Sequence, residues 1–247
     1  MKASSADQLK LLDIAELDQT LLQLAHKANS LPEHDAIKKN QIQRSEVETL
    51  LIAITAEQTD IRKELNRADT DVEQVRSRQE RDTARLNSGQ GSAKDLEALQ
   101  HELATLARRQ SELEDIELEI MERMESAQHR ESELRAQAES LDTALAELTI
   151  ARDKQLAEIE GQQKTTNEMR SILVSQIDAA LLAQYQKISE SISAPGAAAV
   201  RQKKCQGCRL ELNATEIERF RAAAEDEVLR CEECRRILVR VSDSGLY

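Results

Sequence analysis

Apolar residues recur at alternating spacings of three and four along most of the chain, and this heptad pattern constrains the fold more than any other feature. It runs over Ile14–Leu31, resumes over Val47–Val75 and returns over Leu96–Leu148, where it is less regular around Ile116. The pattern closes with Ile172, Leu173, Ile177, Leu181 and Leu182. Such spacing places one apolar stripe along a helix, and two stripes bury each other in a coiled coil. We therefore interpret these residues as helix-packing positions and not as a cofactor-binding motif.

Two features interrupt the heptads and predict how the helices are joined. Pro32 removes a backbone hydrogen bond from any helix that contains it, so the sequence predicts a kink near residue 32. Asn87–Ser92 is rich in glycine and serine and predicts a turn. Ser92 and Asp95 resemble a capping box, which predicts that a helix restarts at Ala93. This turn lacks the lysine and the spacing of a phosphate-binding loop.

Two heptad segments joined by a tight turn are expected to fold back as an antiparallel coiled-coil hairpin. The predicted fold class is mainly α, with a long antiparallel coiled-coil hairpin over residues 1–192 followed by a small C-terminal module. A turn at residues 87–92 places residues near Ile14 opposite residues near Thr165. The second segment is the longer one, so Ile172–Ser191 should extend past the first and offer its apolar end to the C-terminal region.

The composition supports long helices and argues against several classes of protein. The chain is 32 % charged and 1 % aromatic, with no Trp and only two Pro among 247 residues. No apolar run approaches the roughly 20 residues that cross a bilayer, and Met1–Leu17 lacks the apolar core of a secretory signal. We expect a soluble, cytoplasmic protein. The net charge of −12 comes mainly from residues 1–199, which argues against nonspecific coating of DNA.

All four cysteines lie in two C-x-x-C pairs near the C-terminus, Cys205 with Cys208 and Cys231 with Cys234, separated by 22 residues. Each pair can turn both sulfurs toward a common centre, and four thiolates form the tetrahedral set that structural Zn²⁺ prefers. Gly207 is expected to supply the positive φ of the first turn. The sequence therefore predicts one structural zinc ion.

Other roles for these cysteines are weaker. Disulfides suit a small secreted domain, and a redox C-x-x-C needs an α/β context that this sequence does not supply. A catalytic zinc keeps an open position and commonly uses histidine, but all four histidines lie far upstream. They are His26, His34, His101 and His129. The predicted site is therefore closed and structural.

The region around the cysteines predicts a separate module. Residues 193–199 are small and irregular and are interpreted as a linker, so the zinc ribbon is predicted over residues 200–247. Arg209–Leu212, Val228–Arg230 and Ile237–Val241 are candidate short strands. Asn213, followed by Glu216, is expected to cap a short helix that extends through Ala224, and Phe220 on this helix is expected to belong to the small core of the ribbon.

The combined motifs resemble one family, the bacterial C4-type zinc ribbon proteins with an N-terminal coiled-coil hairpin. The resemblance rests on Asp95–Leu103, Leu113–Asp115 and Cys231–Leu238, and it covers nearly the whole chain. It implies that the four cysteines are zinc ligands and that the protein binds or adapts other molecules. Members with assigned roles are linked to transcription factors, to flagellar or secretion regulation, and to RNA. Many members carry glycine where this chain has Arg235.

Two binding functions are compatible with the sequence. In the first, a non-enzymatic adaptor or regulatory protein binds a protein partner through the coiled coil, and the family resemblance points to transcription or regulatory machinery. In the second, basic residues around the zinc knuckles bind nucleic acid, RNA more than DNA. The candidate contacts are Arg201, Lys203, Lys204, Arg209, Arg235, Arg236 and Arg240. Aromatic residues that stack on single-stranded bases are scarce, which weakens the second reading.

An enzymatic function is not predicted, because two packed helices offer no substrate-sized cavity and the cysteines are committed to metal. A second, mildly basic group of residues lies near the turn and is a weaker candidate contact site: Arg76, Arg78, Arg81, Arg85 and Lys94. Exposed long helices can also pair between chains, so a homodimer is compatible with the sequence.

Overall fold

The structure is a computed structural model that describes residues 1–246. Its helical part consists of α1 (Ser5–Asn29), α2 (Pro32–Asn87), α3 (Ala93–Val174) and α4 (Ala179–Ile192). The C-terminal part consists of β1 (Ala197–Arg201), β2 (Lys204–Cys205), α5 (Ala214–Ala222), β3 (Leu229–Arg230) and β4 (Ile237–Arg240). Over residues 1–246, none of the helices combines the length and the apolar character that a membrane span requires.

The chain forms two compact units, and one of them is Asp35–Thr149. Here α2 and α3 pack against each other as the predicted antiparallel coiled-coil hairpin. The buried seam of the unit contains Ile54, Ile61 and Ala68 from α2 and Ile120, Met124 and Ala127 from α3. Cross-helix ion pairs flank this seam; examples are Arg123 with Glu64 and Arg130 with Glu57, each at 2.8 Å. The heptad pattern thus predicted the packing face correctly.

One part of the seam differs from the prediction. Ile116, which was expected to continue the heptads, is 45 % exposed, and Glu117 takes the half-buried position next to it. Counting back from buried Ile120 in steps of three and then four reaches Glu117 and Leu113. The seam position therefore falls on Glu117, one residue after the apolar Ile116. The Glu117 carboxyl lies beside Asp69, and burial together with this second carboxyl raises the pKa of Glu117 above its ordinary value.

Glu117→Gln is expected to raise the melting temperature of the hairpin by a few degrees at neutral pH. Because the folded-state pKa of Glu117 lies above the unfolded one, folding favours the protonated carboxyl, and stability is lost as the pH rises through the folded pKa. The gain should therefore be smaller at about pH 4, below the unfolded pKa. Thermal unfolding followed by circular dichroism at both pH values measures the effect.

Glu114→Gln is the matched control, because it lies three residues away and should act in the opposite direction. Hydrogen bonds from Gln110 and Arg76 lower the pKa of Glu114, so its contribution is present above the unfolded pKa and is lost as the pH falls. Removing this charge should lower the melting temperature at neutral pH. Changes of the same sign in both variants would contradict the assignment.

The second unit combines Met1–His34 with the chain from Ile150 onward. In this unit, α1 ends at Asn29 and a new helix begins at Pro32, where proline is tolerated because the first turn needs no amide donor. The predicted pairing of Ile14 with Thr165 is wrong. Asp18 bonds to Arg170, and Ile14 belongs to a cluster against which Leu173 and Val174 pack. Register follows the apolar residues that interdigitate, not the midpoint of the turn.

The expected extension Ile172–Ser191 is divided between two helices. The helix α3 ends at Val174 and α4 begins at Ala179, because Asp178 caps the new helix. Its carboxylate accepts from the backbone N–H groups of Ala180 at 3.0 Å and Leu181 at 2.9 Å. The break lets α4 turn its apolar face onto the unit.

The apolar face of α4 forms the centre of this unit's core. The face consists of Leu181, Tyr185 and Ile188, at spacings of four and three. It packs with Leu11 and Ile14 of α1 and with residues of the strand region, Ala197, Ile237 and Val239. The end of the helical segment therefore contacts the ribbon strands, as expected.

The strands form one four-stranded sheet in the order β2-β1-β4-β3. The strand β1 runs parallel to β4 and antiparallel to β2, and β3 runs antiparallel to β4. Backbone atoms of Met1 and Ala3 hydrogen-bond to Val228 and Asp226, which adds the first residues of the chain to the β3 edge. Residues 197–199 were assigned to the linker, but they form the start of β1. The small alanines of β1 are buried where β1 pairs with the parallel strand β4, so the sequence shows no alternation of apolar and polar residues there.

Candidate metal centre

The two C-x-x-C pairs are built by the same local backbone design. In the first, the amide of Arg209 donates to the carbonyl oxygen of Cys205 at 2.7 Å; in the second, the amide of Arg235 donates to that of Cys231 at 3.0 Å. The residue after each second cysteine has a left-handed backbone, with φ 65° at Arg209 and 62° at Arg235. Each turn therefore closes tightly and points both sulfurs to one side.

The four sulfur atoms converge on one point. All lie within 4.8 Å of one another, with Cys205 to Cys234 at 3.7 Å and Cys208 to Cys231 at 3.9 Å. Tetrahedral zinc with bonds of about 2.3 Å separates its sulfur ligands by roughly 3.8 Å. The thiols therefore fit one Zn²⁺ with no position left open for substrate, which is the arrangement of a structural site.

The surroundings of the sulfurs shift the pKa values of the thiols in different directions. Burial raises the pKa of the Cys205 thiol well above its ordinary value and that of Cys231 to about 11. Burial alone would raise the pKa of Cys234, but hydrogen bonds from the backbone and side chain of Arg236 and from the Cys231 and Cys205 thiols lower it. Backbone N–H groups of Gly207 and Cys208 also favour the thiolate of Cys205. A bound Zn²⁺ would stabilise the thiolates further and displace the protons that remain on the sulfurs.

Gly207 is needed for space and not for a positive φ, which corrects the prediction. The left-handed residue of the first knuckle is Arg209, whereas a Cβ added to Gly207 would lie 2.6 Å from Cδ of Arg236 and 3.1 Å from the Cβ of Ala198. The Arg236 side chain crosses the knuckle at this point and donates to the carbonyl oxygen of Pro195 at 2.9 Å. Any larger residue at 207 would displace that side chain.

Arg235→Gly is expected to stabilise the ribbon by about 0.5–1 kcal/mol. A non-glycine residue in the left-handed region costs about 1–2 kcal/mol, and the extra freedom of glycine in the unfolded chain offsets part of the gain. Arg235→Ala is the control: it removes the same side chain but keeps the strained backbone, so it should not stabilise. Thermal unfolding of the zinc-loaded protein compares the two, and equal effects would contradict the backbone explanation.

Glu216 supports the second knuckle and was recognised from the sequence only as a capping residue. It is 3 % exposed. One carboxylate oxygen accepts from the amide of Asn213, as in the predicted capping box, and the other accepts from the amide of Glu232 between the two cysteines, each at 3.1 Å. The helix α5 is therefore tied to the metal centre through one side chain. Phe220 of the same helix is buried in the ribbon core, as expected.

The seven predicted nucleic-acid contacts lie in the ribbon region, and their side chains are engaged to different extents. Arg201 pairs with Asp243 at 2.7 Å, and Lys204 pairs with Glu211 at 3.1 Å. These contacts are exposed, and exposed ion pairs hold their partners weakly. Both side chains therefore remain accessible.

Arg236 and Arg240 are committed more firmly to the fold. The Arg240 guanidinium donates to the carbonyl oxygens of Phe220 and Ala223 at 3.3 and 3.0 Å, so it caps the end of α5, while Arg236 crosses the first knuckle. Within residues 1–246, three of the seven side chains have no hydrogen-bonding or ionic partner: Lys203, Arg209 and Arg235.

A coiled-coil hairpin followed by a closed four-cysteine centre defines a class of protein, the zinc ribbon protein with a helical hairpin. Comparison with known families agrees with this class. Residues 14–193 match the CT398-like coiled coil hairpin domain, and residues 204–238 match the C4-type zinc ribbon domain. The chain belongs to the family that joins these two domains. Neither matched domain is a catalytic one, and the four cysteines form the site of one structural zinc ion.

Relatives and solved structures match nearly the whole chain. An uncharacterized protein of Mycobacterium tuberculosis is 36 % identical over 241 residues, which is 98 % of each chain. A solved structure from Mycobacterium smegmatis is 35 % identical and superposes with a TM-score of 0.85 over 97 % of this chain and 100 % of its own. The structure of CT398 from Chlamydia trachomatis is 15 % identical with a TM-score of 0.69, covering 96 % and 98 % of the two chains, and shares the fold.

Proposed function

We propose that this protein is a non-enzymatic adaptor that binds a protein partner through its helices, with the zinc ribbon as a structural element. The observation that supports this is the surface of the helices. Their seams are used internally, yet large apolar side chains remain outside them, including Ile52 at 68 %, Ile150 at 70 % and Ile172 at 60 % exposed. Single exposed apolar residues are normal on a helix, but exposed apolar residues that adjoin one another, as Met169 and Ile172 do, are typical of surfaces that contact other proteins.

Within this proposal, Cys205, Cys208, Cys231 and Cys234 are the four ligands of the zinc. The sulfur spacings near 3.8 Å support this assignment. The metal stabilises the small ribbon core, in which Cys205 and Cys231 are themselves buried. Because no coordination position is open, the metal has no role in activating a substrate.

Binding of nucleic acid at the knuckles is the weaker proposal. Only Lys203, Arg209 and Arg235 lack a partner among the candidate contacts in the described part of the chain, and Glu232 and Glu233 lie within the second knuckle. Phosphate contacts need several uncompensated cations, and each contact adds to the salt dependence of binding. Titration of the full-length protein into labelled mixed-sequence RNA and DNA at low salt should show no saturable binding.

Site-specific photo-crosslinking in the native cells tests the adaptor proposal with the full-length protein. A crosslinking residue is placed in turn at exposed helical positions, Ile52, Ile116, Ile150 and Met169, and at Arg235 beside the knuckle. The proposal expects one reproducible protein partner from at least one helical position. Crosslinks only from Arg235, or only to nucleic acid, would overturn it.

A further inference from the structure

One side of the α1/α3 helix pair near the ribbon remains uncovered. On another side of this pair, α4 packs its apolar residues against Leu11 and Ile14. The uncovered side contains a groove of about 450 Å³ to which α4 contributes no residue. The groove is lined by Asp13, Glu16, Leu17, Thr20, Met169, Ile172 and Leu173.

The floor of the groove is apolar and open to solvent. Met169 is 53 % and Ile172 is 60 % exposed, although the heptad pattern counted Ile172 among the seam residues. Leu17 and Leu173 lie half-buried between them and the core. An isolated exposed leucine or isoleucine needs no explanation, but apolar side chains from two adjacent helices form a continuous surface that water solvates poorly.

The rim of the groove is acidic and uncompensated. Asp13 and Glu16 lie along it on successive turns of α1, no lysine or arginine lines the groove, and neither carboxylate has an ion pair within residues 1–246. The basic residues closest in sequence to the groove residues are engaged elsewhere: Lys10 donates to the backbone carbonyl of Gln176 at 3.2 Å, and Arg170 bonds to Asp18. An occupant with positive charge would therefore meet complementary charge.

These features select one kind of occupant. A groove between two antiparallel helices accepts a third helix by the same ridge-and-groove packing that seats α4. A second copy of this chain is disfavoured, because a symmetric contact of the two grooves would bring Asp13 and Glu16 against the same carboxylates of the partner copy. We propose that the groove binds an amphipathic helix of a partner protein, with apolar residues spaced three and four apart and lysine or arginine beside them. This inference rests on the adaptor function and specifies its docking surface.

Selection from a display library of random peptides of about 16 residues, long enough for four helical turns, tests the groove on the full-length, zinc-loaded protein. Enriched peptides should carry the three-and-four apolar spacing and a net positive charge. Their affinity should fall at least about tenfold for Ile172→Glu and change little for Leu118→Glu, which alters an equally exposed apolar residue of the other unit. Helical content and zinc content confirm that both variants are folded.

Charge reversal adds a second criterion. The double variant Asp13→Lys and Glu16→Lys should select peptides with acidic residues at the positions where the native protein selects basic ones. No enrichment, enriched peptides without the apolar spacing, or binding that survives Ile172→Glu would each overturn the groove assignment. If crosslinks from Ile52, Ile116 or Ile150 still recover a protein partner in such a case, the adaptor proposal stands and only the groove fails.

Discussion

Replacing Cys205 by serine is expected to abolish zinc binding and to unfold the ribbon, the largest single effect predicted for this chain. The ribbon core is small, and Cys205 and Cys231 are among its buried residues. The free energy of zinc binding by comparable four-ligand sites is about 10–16 kcal/mol at neutral pH, which exceeds what so small an apolar core can supply. In the variant a serine hydroxyl takes the buried place of the Cys205 sulfur, and the three remaining thiols cannot complete a four-sulfur site.

Elemental analysis and limited proteolysis measure this prediction. The native protein should contain about one zinc per chain, while the Cys205→Ser protein should contain almost none and be cleaved rapidly within residues 197–246. Glu233→Ser is the matched control, since it changes an exposed residue of the second knuckle that offers no sulfur. A zinc-free variant that resists protease as well as the native protein would contradict a metal-dependent ribbon.

The effect of metal loss should be graded along the chain. The strand β4 links two cores: Ile237 and Val239 contribute to the core that includes α4, while Leu238 contributes to the core around the cysteines. Alternation of side chains along a strand makes this possible. Unfolding the ribbon therefore removes one wall from the α4 core. The hairpin of Asp35–Thr149 has its own seam, so its helical signal should persist.

The sequence predicted the features that depend on residues close together in the chain. Heptad spacing identified Ile54, Ile61 and Ile120 as seam residues, and two C-x-x-C pairs identified the metal centre. Both signals are local, because a heptad spans about two helical turns and each knuckle contains one complete C-x-x-C pair. The capping box at Asn213 was found for the same reason.

The features that were missed depend on contacts between distant segments. The strand β1 exists because Ala197–Val200 pair with Ile237–Arg240, and nothing within the alanines themselves indicates that pairing. Position 207 needs glycine because the side chain of Arg236 packs against it, and Arg236 lies far from it in the sequence. The apolar character of Ile116 suggested a seam position, but the buried residues Leu113 and Ile120 place Glu117 there. Tertiary packing overrides local preference in each case.

Tyr185→Ala is expected to destabilise the unit that contains α4 by about 3–5 kcal/mol, the cost of removing a fully buried aromatic ring. Tyr185 is 0 % exposed, and its hydroxyl donates to a carboxylate oxygen of Asp18 at 2.6 Å. Asp18 also bonds to the Arg170 guanidinium, so one carboxylate connects α1, α3 and α4. Burial, together with this hydrogen bond, raises the pKa of Tyr185 above its ordinary value, which keeps the phenol protonated as a donor.

Tyr185→Phe separates the contribution of the ring from that of the hydroxyl. It keeps the packing but leaves Asp18 without one donor, so it should cost only about 1–2 kcal/mol. Gln186→Ala, at an exposed position on the same helix, should have almost no effect. Amide hydrogen exchange of α4 and β1 measures all three variants, because the core of Leu181, Ile188 and Ala197 closes around the ring. If the phenylalanine variant exchanges as fast as the alanine variant, the hydroxyl network and not the ring holds the helices together.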